Sequence, residues 1–275
     1  MSKAFLIDYN KCNGCYSCQI ACKDEFCDQA WLPYSEAQPE LGQFWCKVKD
    51  IERGRVPWVK VSYQVTLCNH CDECALMKIA SDAVYRRDDG LVIIDPEKAK
   101  GREDLVDACP AHAVYWNEAL EIPQKCTGCA HLLDNGWEVP RCVDACSTDA
   151  LLYVDEDEID KDKAEVWESV SDLSPKVYYY NTPKRFIVGS VFDSVADEAE
   201  IGAEVILKTQ MGEEIAKVLT DDFGDFKFDQ INPGKYIVEI ISDRYQPTSA
   251  KANAKDKDVV IDPVDLAKLP VKMNR

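Results

Sequence analysis

The sequence predicts an α+β protein in two parts: a region of short helices and hairpins organised around cysteine, residues 1–184, and an all-β sandwich of about seven strands, residues 185–275. Three observations lead there. All fourteen cysteines fall in the first 146 residues, most of them in tightly spaced runs. From about Arg185 both cysteine and histidine vanish. There, short alternating apolar stretches recur between turn signals, the pattern of a sandwich or barrel.

Run one, Cys12, Cys15, Cys18 and Cys22, has the spacing C-x2-C-x2-C-x3-C, and apolar residues in CYSCQIACKDE recur at helical spacing, predicting a short helix. Next, FWCKVKDIERGRVPWVKVSY carries β-branched and aromatic runs broken at Arg53-Gly54 and Pro57, and reads as a hairpin. Run two supplies Cys68, Cys71 and Cys74 but has Lys78 and Ile79 where a fourth cysteine belongs. Run three is the converse, keeping Cys109-Pro110 while Ala99, Arg102 and Leu105 stand at three cysteine positions; REDLVDACP again has a helical period. Leu105 is expected to fill the freed volume by packing and Arg102 by pairing with an acid or a backbone carbonyl, because an unpaired buried cation is costly. Run four, Cys126, Cys129, Cys142 and Cys146, is complete but stretched by twelve residues between its second and third members.

From Asp155, DEDEIDKDKAE lacks an apolar period over its first half and is expected to be solvated surface. SDLSPKVYYYNTPK then reads as an extended connector, completing a segment 155–184, with Tyr178, Tyr179 and Tyr180 packed against the cysteine domain. Beyond it FIVGSVFD, AEVILKT, EIAKVLT, DFKFD, KYIVEIIS and DVVID are strands; Phe226 and Phe228 share a face, as do Tyr236, Val238 and Ile240. Asp222-Phe223-Gly224 and Asn232-Pro233-Gly234 supply turns, and Asp221, Asp222 and Asp225 are assigned to turn formation rather than calcium binding.

A triplet of closely spaced cysteines suits three corners of an iron-sulfur cubane, whose core matches soft, anionic thiolate. In two-cluster ferredoxins the fourth cysteine of each run crosses to the neighbouring cluster. With that exchange Cys12, Cys15 and Cys18 take Cys146 (cluster 1), and Cys126, Cys129 and Cys142 take Cys22 (cluster 2). Cys68, Cys71 and Cys74 are left with Cys109 (cluster 3), and a fourth site has lost every ligand. Three 4Fe-4S clusters are therefore expected. Zinc is the poorer fit, since a ribbon needs two C-x2-C knuckles per ion. A disulfide framework is poorer still in a chain of 275 residues without a secretory signal. Cys27 and Cys46 stay outside the scheme as ordinary packing thiols.

A hydrophobic fraction of 46% suffices for real cores, and a net charge of −18 excludes nucleic acid as a partner. MSKAFLIDYNKC has neither an apolar h-region nor a twin arginine, and no run of eighteen apolar residues follows, so a cytoplasmic protein without a membrane span is expected. There is no nucleophile constellation or phosphate loop, and no catalytic residue is expected. His70, His112 and His131 sit beside cysteine runs and are expected to hydrogen-bond near clusters.

These runs in this order, with CNHC at 68–71 and CKDE at 22–25, resemble the four-cluster ferredoxin-type subunits of molybdopterin oxidoreductases, the family of dimethyl sulfoxide reductase and respiratory nitrate reductase. The similarity covers residues 1 to about 155; the tail resembles carboxypeptidase-regulatory-like or transthyretin-like sandwiches. The resemblance implies a tandem bacterial-ferredoxin-like domain in which runs one and four pair, as do two and three. It further implies a large catalytic partner, in a heterodimer or higher oligomer, that carries molybdenum on two pterin guanine dinucleotides. Cluster 1 would lie nearest that partner, and the erased site at the far end, where electrons usually leave for a membrane anchor. The chain is then a non-catalytic electron-transfer subunit suited to an enzyme that returns every electron it takes, with the sandwich docking or shielding. Two alternatives stand beside this: the electron-delivering subunit of a respiratory reductase, and a structural partner whose clusters only staple its loops.

Overall fold

The computed structural model describes residues 2–271. They form two compact units, the first running to Ile51 and resuming with Ser62–Thr182, the second comprising Glu52–Val61 and the chain from Pro183 onward. The change of character thus comes at 182/183, against the 184/185 expected, and the hairpin tip counted with the first domain belongs to the second unit.

The first unit contains β1 (Lys3–Asp8), α1 (Ser17–Phe26), the bases of β2 (Lys47–Arg55) and β3 (Trp58–Thr66), α2 (Ala75–Ile79), β4 (Val84–Arg86), β5 (Val92–Ile94) and α3 (Asp104–Asp107). After these come β6 (Tyr115–Asn117), β7 (Ile122–Gln124), α4 (Ala130–Asp134), α5 (Arg141–Asp144), β8 (Leu151–Asp155) and β9 (Val177–Tyr180). Its three-stranded sheet has the order β8-β1-β9, with β1 antiparallel to β8 and parallel to β9. Alternation explains β1, where Phe5 and Ile7 are buried on one face and Ala4 on the other. The tyrosine-rich stretch is therefore the third strand of this sheet rather than a bare connector. Tyr179 is buried and its hydroxyl donates to the Val65 carbonyl at 3.2 Å, while Tyr178 donates to Glu156 at 2.7 Å. The helices are short, and α1 packs on α5, which brings runs one and four together.

The acidic segment departs from expectation. Ile159 is buried, and Glu156 is mostly covered while accepting from Lys176 at 2.6 Å, Lys161 at 3.0 Å and Tyr178. Burial alone would raise the Glu156 carboxyl, but these hydrogen bonds hold it down to about 2. Apolar periodicity cannot reveal such a segment, because its anchor is one carboxylate surrounded by donors distant in sequence.

The second unit contains β10 (Arg185–Asp193), β11 (Glu198–Ala199), β12 (Glu204–Thr209), β13 (Glu214–Leu219), β14 (Asp225–Ile231), β15 (Lys235–Ile241), β16 (Thr248–Asn253), β17 (Val259–Val260) and β18 (Val264–Asp265). One sheet runs β11-β10-β14 with β17 and β18 also on β10; the other runs β13-β12-β15-β16. Their inner faces meet in a core including Ile187, Val205, Leu207, Phe226, Phe228 and Val238. Nine strands among the described residues replace the seven expected, three of them only two residues long. Asp221 does form a turn, its carboxylate accepting from the N–H groups of Phe223 and Asp225, both at 2.9 Å. The hairpin tip joins this unit through Arg53, which donates to the Lys184 carbonyl at 2.8 Å and pairs with buried Asp258 at 3.4 Å. Gly54, at φ +90°, permits the approach: a Cβ there would lie 2.2 Å from the Trp58 carbonyl oxygen and 2.7 Å from the Phe186 ring. No helix among the described residues is long and apolar enough to cross a membrane.

Because Glu156 ionises at about 2 when folded against its ordinary 4.5, folding favours the carboxylate, so its contribution is complete above pH 4.5 and lost as pH falls through about 2. Glu156→Gln is expected to cost about 2 kcal/mol at pH 7 and much less near pH 2. Denaturant melts at both pH values check this; an equal loss at both would contradict it.

Candidate metal centres

Each cysteine triplet folds in the same way. The second residue between the first two cysteines adopts a left-handed backbone: Gly14 at φ +69°, His70 at +43° and Gly128 at +64°. That turn aims its N–H back at the first sulfur. His70 donates to Cys68 Sγ at 3.5 Å and Gly128 to Cys126 Sγ at 3.3 Å, and the Gly14 N–H serves Cys12. Glycine at 14 and 128 also leaves room, since a Cβ would stand 2.3 Å from the Tyr63 ring and 2.5 Å from Leu91. His70 bears the left-handed strain that glycine avoids, and its ring compensates: Nδ1 accepts from the Val92 N–H at 3.0 Å. Burial, with Lys125 and Arg86 nearby, keeps that ring neutral well below the usual histidine range, so its proton sits on Nε2.

The fold gathers the thiols into three groups. Burial raises the Cys12 thiol, and Cys18, Cys146 and Cys15 raise it further. Cys71 is pushed up to about 12 by burial and by Cys68, Cys74 and Cys109. Cys129 is driven well above the usual thiol range by burial and by Cys142, Cys22 and Cys126. Cys12, Cys71 and Cys129 thus each have three other cysteines as electrostatic neighbours. Cys18 also acts on Cys22, and Cys68 on Cys126, so Cys22 and Cys126 have neighbours on either side.

Bare thiols such as Cys12, Cys71 and Cys129 resist ionisation, for each new thiolate faces others at low dielectric, whereas the Cys46 hydrogen bond lowers Cys18. A cationic core at the centre of each quartet reverses this. Among the described residues no three His, Cys, Asp or Glu side chains converge closely enough for a single ion. Orphaned donors remain: His70 Nε2, the Asn69 amide and Thr127 Oγ1 are buried without a partner, all within the CNHC and CTGC loops. They fit a group that brings sulfur acceptors of its own. Cys68, Cys71, Cys74 and Cys109 line a hollow with His70, Asn69, Lys125 and Val170.

The other two histidines divide. His131 is buried, stacked on Trp31 at 4.3 Å, with Nε2 2.9 Å from Glu25; His112 is exposed at φ +48° on the rim of a cleft with Trp45, Lys47 and Trp167. Cys27 ends α1, its N–H donating to the Lys23 carbonyl. Cys46 is more than a packing thiol. It is 1% exposed, its thiol hydrogen-bonds toward both Cys18 and Cys142, and its N–H serves Cys22. Spacing carries no signal of this, because Cys46 belongs to no run and reaches the quartets through the approach of β2.

Where a fourth quartet would stand, the space is filled. Ala99 and Leu105 are fully buried in an apolar cluster with Leu76, Val84, Val92 and Val114, against which Cys74 and Cys109 pack. Arg102 lies at the surface, bidentate on Asp104 at 2.8 Å and donating to the Ile79 carbonyl at 3.1 Å. It thereby ties together the two segments that lack cysteines.

By its likeness to known subunits the chain belongs to the iron-sulfur electron-transfer subunits of molybdopterin oxidoreductases. A 4Fe-4S dicluster domain matches residues 59–156, and the second beta sandwich domain of a BOS complex subunit NOMO1-like family matches residues 186–265. Among individual proteins, the chain is similar to the pyrogallol hydroxytransferase small subunit of Pelobacter acidigallici, 36% identical over 86% of this chain and 90% of that one. It is also 32% identical, over 71% of this chain and 86% of the other, to the iron-sulfur subunit of a putative dimethyl sulfoxide reductase of Halobacterium salinarum. A tetrathionate reductase subunit of Salmonella typhimurium is 28% identical over 67% and 74%.

Leu105→Ala is expected to cost about 2–5 kcal/mol, the range for a fully buried leucine, without changing iron content. Thermal melts with iron assay check this; loss of iron in step with stability would contradict it.

Proposed function

We propose that this chain is the electron-transfer subunit of a molybdenum hydroxytransferase of the pyrogallol type and holds three 4Fe-4S clusters. Cys12, Cys15, Cys18 and Cys146 bind the first, Cys22, Cys126, Cys129 and Cys142 the second, and Cys68, Cys71, Cys74 and Cys109 the third. What supports this is the hollow that Cys68, Cys71, Cys74 and Cys109 line together, beside an apolar core in which Ala99 and Leu105 are buried. When bound, each cubane supplies a reversible one-electron change.

The chain's own residues set the conditions for it. N–H groups of Gly14, His70, Gly128 and Leu151 donate to ligand sulfurs, spreading their charge. Phe26, Trp45, Val65 and Leu67 pack with the buried thiols Cys18, Cys22, Cys126, Cys129 and Cys142 and keep water from them. The third ends against Leu105, so no fourth thiol group continues the series. A reaction that moves a hydroxyl between aromatic rings has no net electrons to export, and this closed end suits it. The partner is a large subunit carrying molybdenum on two pterin guanine dinucleotides, and the complex is an anaerobic one. The sandwich, without cysteine or histidine, serves to dock or shield.

Iron, sulfide and molybdenum measured per chain in the native complex test the reading. About twelve irons are expected, four per cubane, with molybdenum in a co-purifying subunit. About eight or sixteen irons would refute it, and a membrane-anchor subunit in the complex would point to a respiratory reductase instead.

A further inference from the structure

Lys125 is 4% exposed, and the mechanism above gives it no role. Its ammonium donates to the carbonyls of Val92 and, at 3.0 Å, of Cys126, and enters no ion pair among the described residues. Two carbonyls leave one of its three N–H groups unused. The contrast with Lys176, the other buried lysine among the described residues, is direct: Lys176 has Glu156 at 2.6 Å and Asp72 at 2.7 Å. Withdrawing an ammonium from water costs several kcal/mol even after relaxation, and carbonyl dipoles alone are poor compensation.

What surrounds Lys125 is sulfur. It lines the hollow of Cys68, Cys71, Cys74 and Cys109, and it directly precedes Cys126 of the middle quartet. Its charge acts on Cys68 and on Cys126, the two cysteines through which those quartets meet. Four thiolates outweigh the positive charge of a cubane core, so each loaded site is a net anion.

We propose that Lys125 is the counter-ion shared by the middle and third clusters, a positioning charge that raises both reduction potentials relative to the first cluster. The assignment rests on the three-cluster reading above. Each reduction adds one electron to a cluster beside a fixed cation, which favours the reduced form. The Cys12 quartet lies on the far side of the middle one and feels this charge least.

The test is a redox titration of the native complex followed by electron paramagnetic resonance, comparing wild type with Lys125→Gln, Lys125→Met and Lys125→Arg. Gln and Met are expected to lower the midpoint potentials of two clusters and leave the third unchanged, while Arg preserves all three. If the neutral variants instead shed iron and Arg retains it, the charge is again what holds the anionic clusters. Unshifted potentials in both neutral variants with iron intact would overturn the proposal. So would an equal shift of all three clusters, a shift in Met but not Gln, or failure of Arg alongside the neutral variants. A wild-type complex without three cubanes would sink the underlying reading before any variant is compared.

Discussion

Several thiols near enough to share a cluster are held by burial and by one another in the neutral form. Burial and mutual repulsion drive Cys22, Cys71, Cys126 and Cys129 upward, yet a thiolate is the form that ligates. The first unit is built around this conflict. Apart from α1 its helices are a few residues long, its strands are mostly hairpin fragments, and its largest core cluster includes Cys18, Cys22, Cys68, Cys126, Cys129 and Cys142. Such a core is completed by metal and sulfide rather than by hydrocarbon, and folding is linked to loading.

The one place where that linkage is absent shows the alternative. Beside Cys74 and Cys109 the chain has Leu105, Ala99 and Val84, and the space closes by ordinary apolar packing. Arg102, which replaces a ligand, turns to the surface and bridges to Asp104 and the Ile79 carbonyl. A site has been exchanged for stability that needs no metal. Under the proposed three-cluster reading the series is shortened to three, with Cys46 beside Cys18 and Cys142 and Lys125 beside Cys68 and Cys126.

Much of this was legible in the sequence, and what was not has a common cause. Spacing made the C-x2-C turns at Cys12, Cys68 and Cys126 legible, because each of those turns is local. The packing of Leu105 and the pairing of Arg102 with an acid and a carbonyl followed from replacement at known positions, but Arg102 lies at the surface instead of filling the volume expected of it. The sandwich followed from alternation in DFKF and KYIVEI, though β11, β17 and β18 were too short to register and β16 too poor in large apolar residues. Contacts between residues far apart in the chain stayed hidden: β9 completing the sheet of β1, Glu156 gathering Lys176 and Tyr178, and the tip of β2 and β3 joining the second unit. Cys46 and Lys125 share that property, since neither lies in a pattern and both act through what the fold brings to them.

An iron anomalous difference map of the crystallised complex addresses the central claim most directly. It is expected to show three separate iron centres, one inside each quartet, with Cys46 beside two of them and bound to neither. Iron beside Leu105 and Arg102, or Cys46 ligating in place of Cys18 or Cys142, would contradict the account.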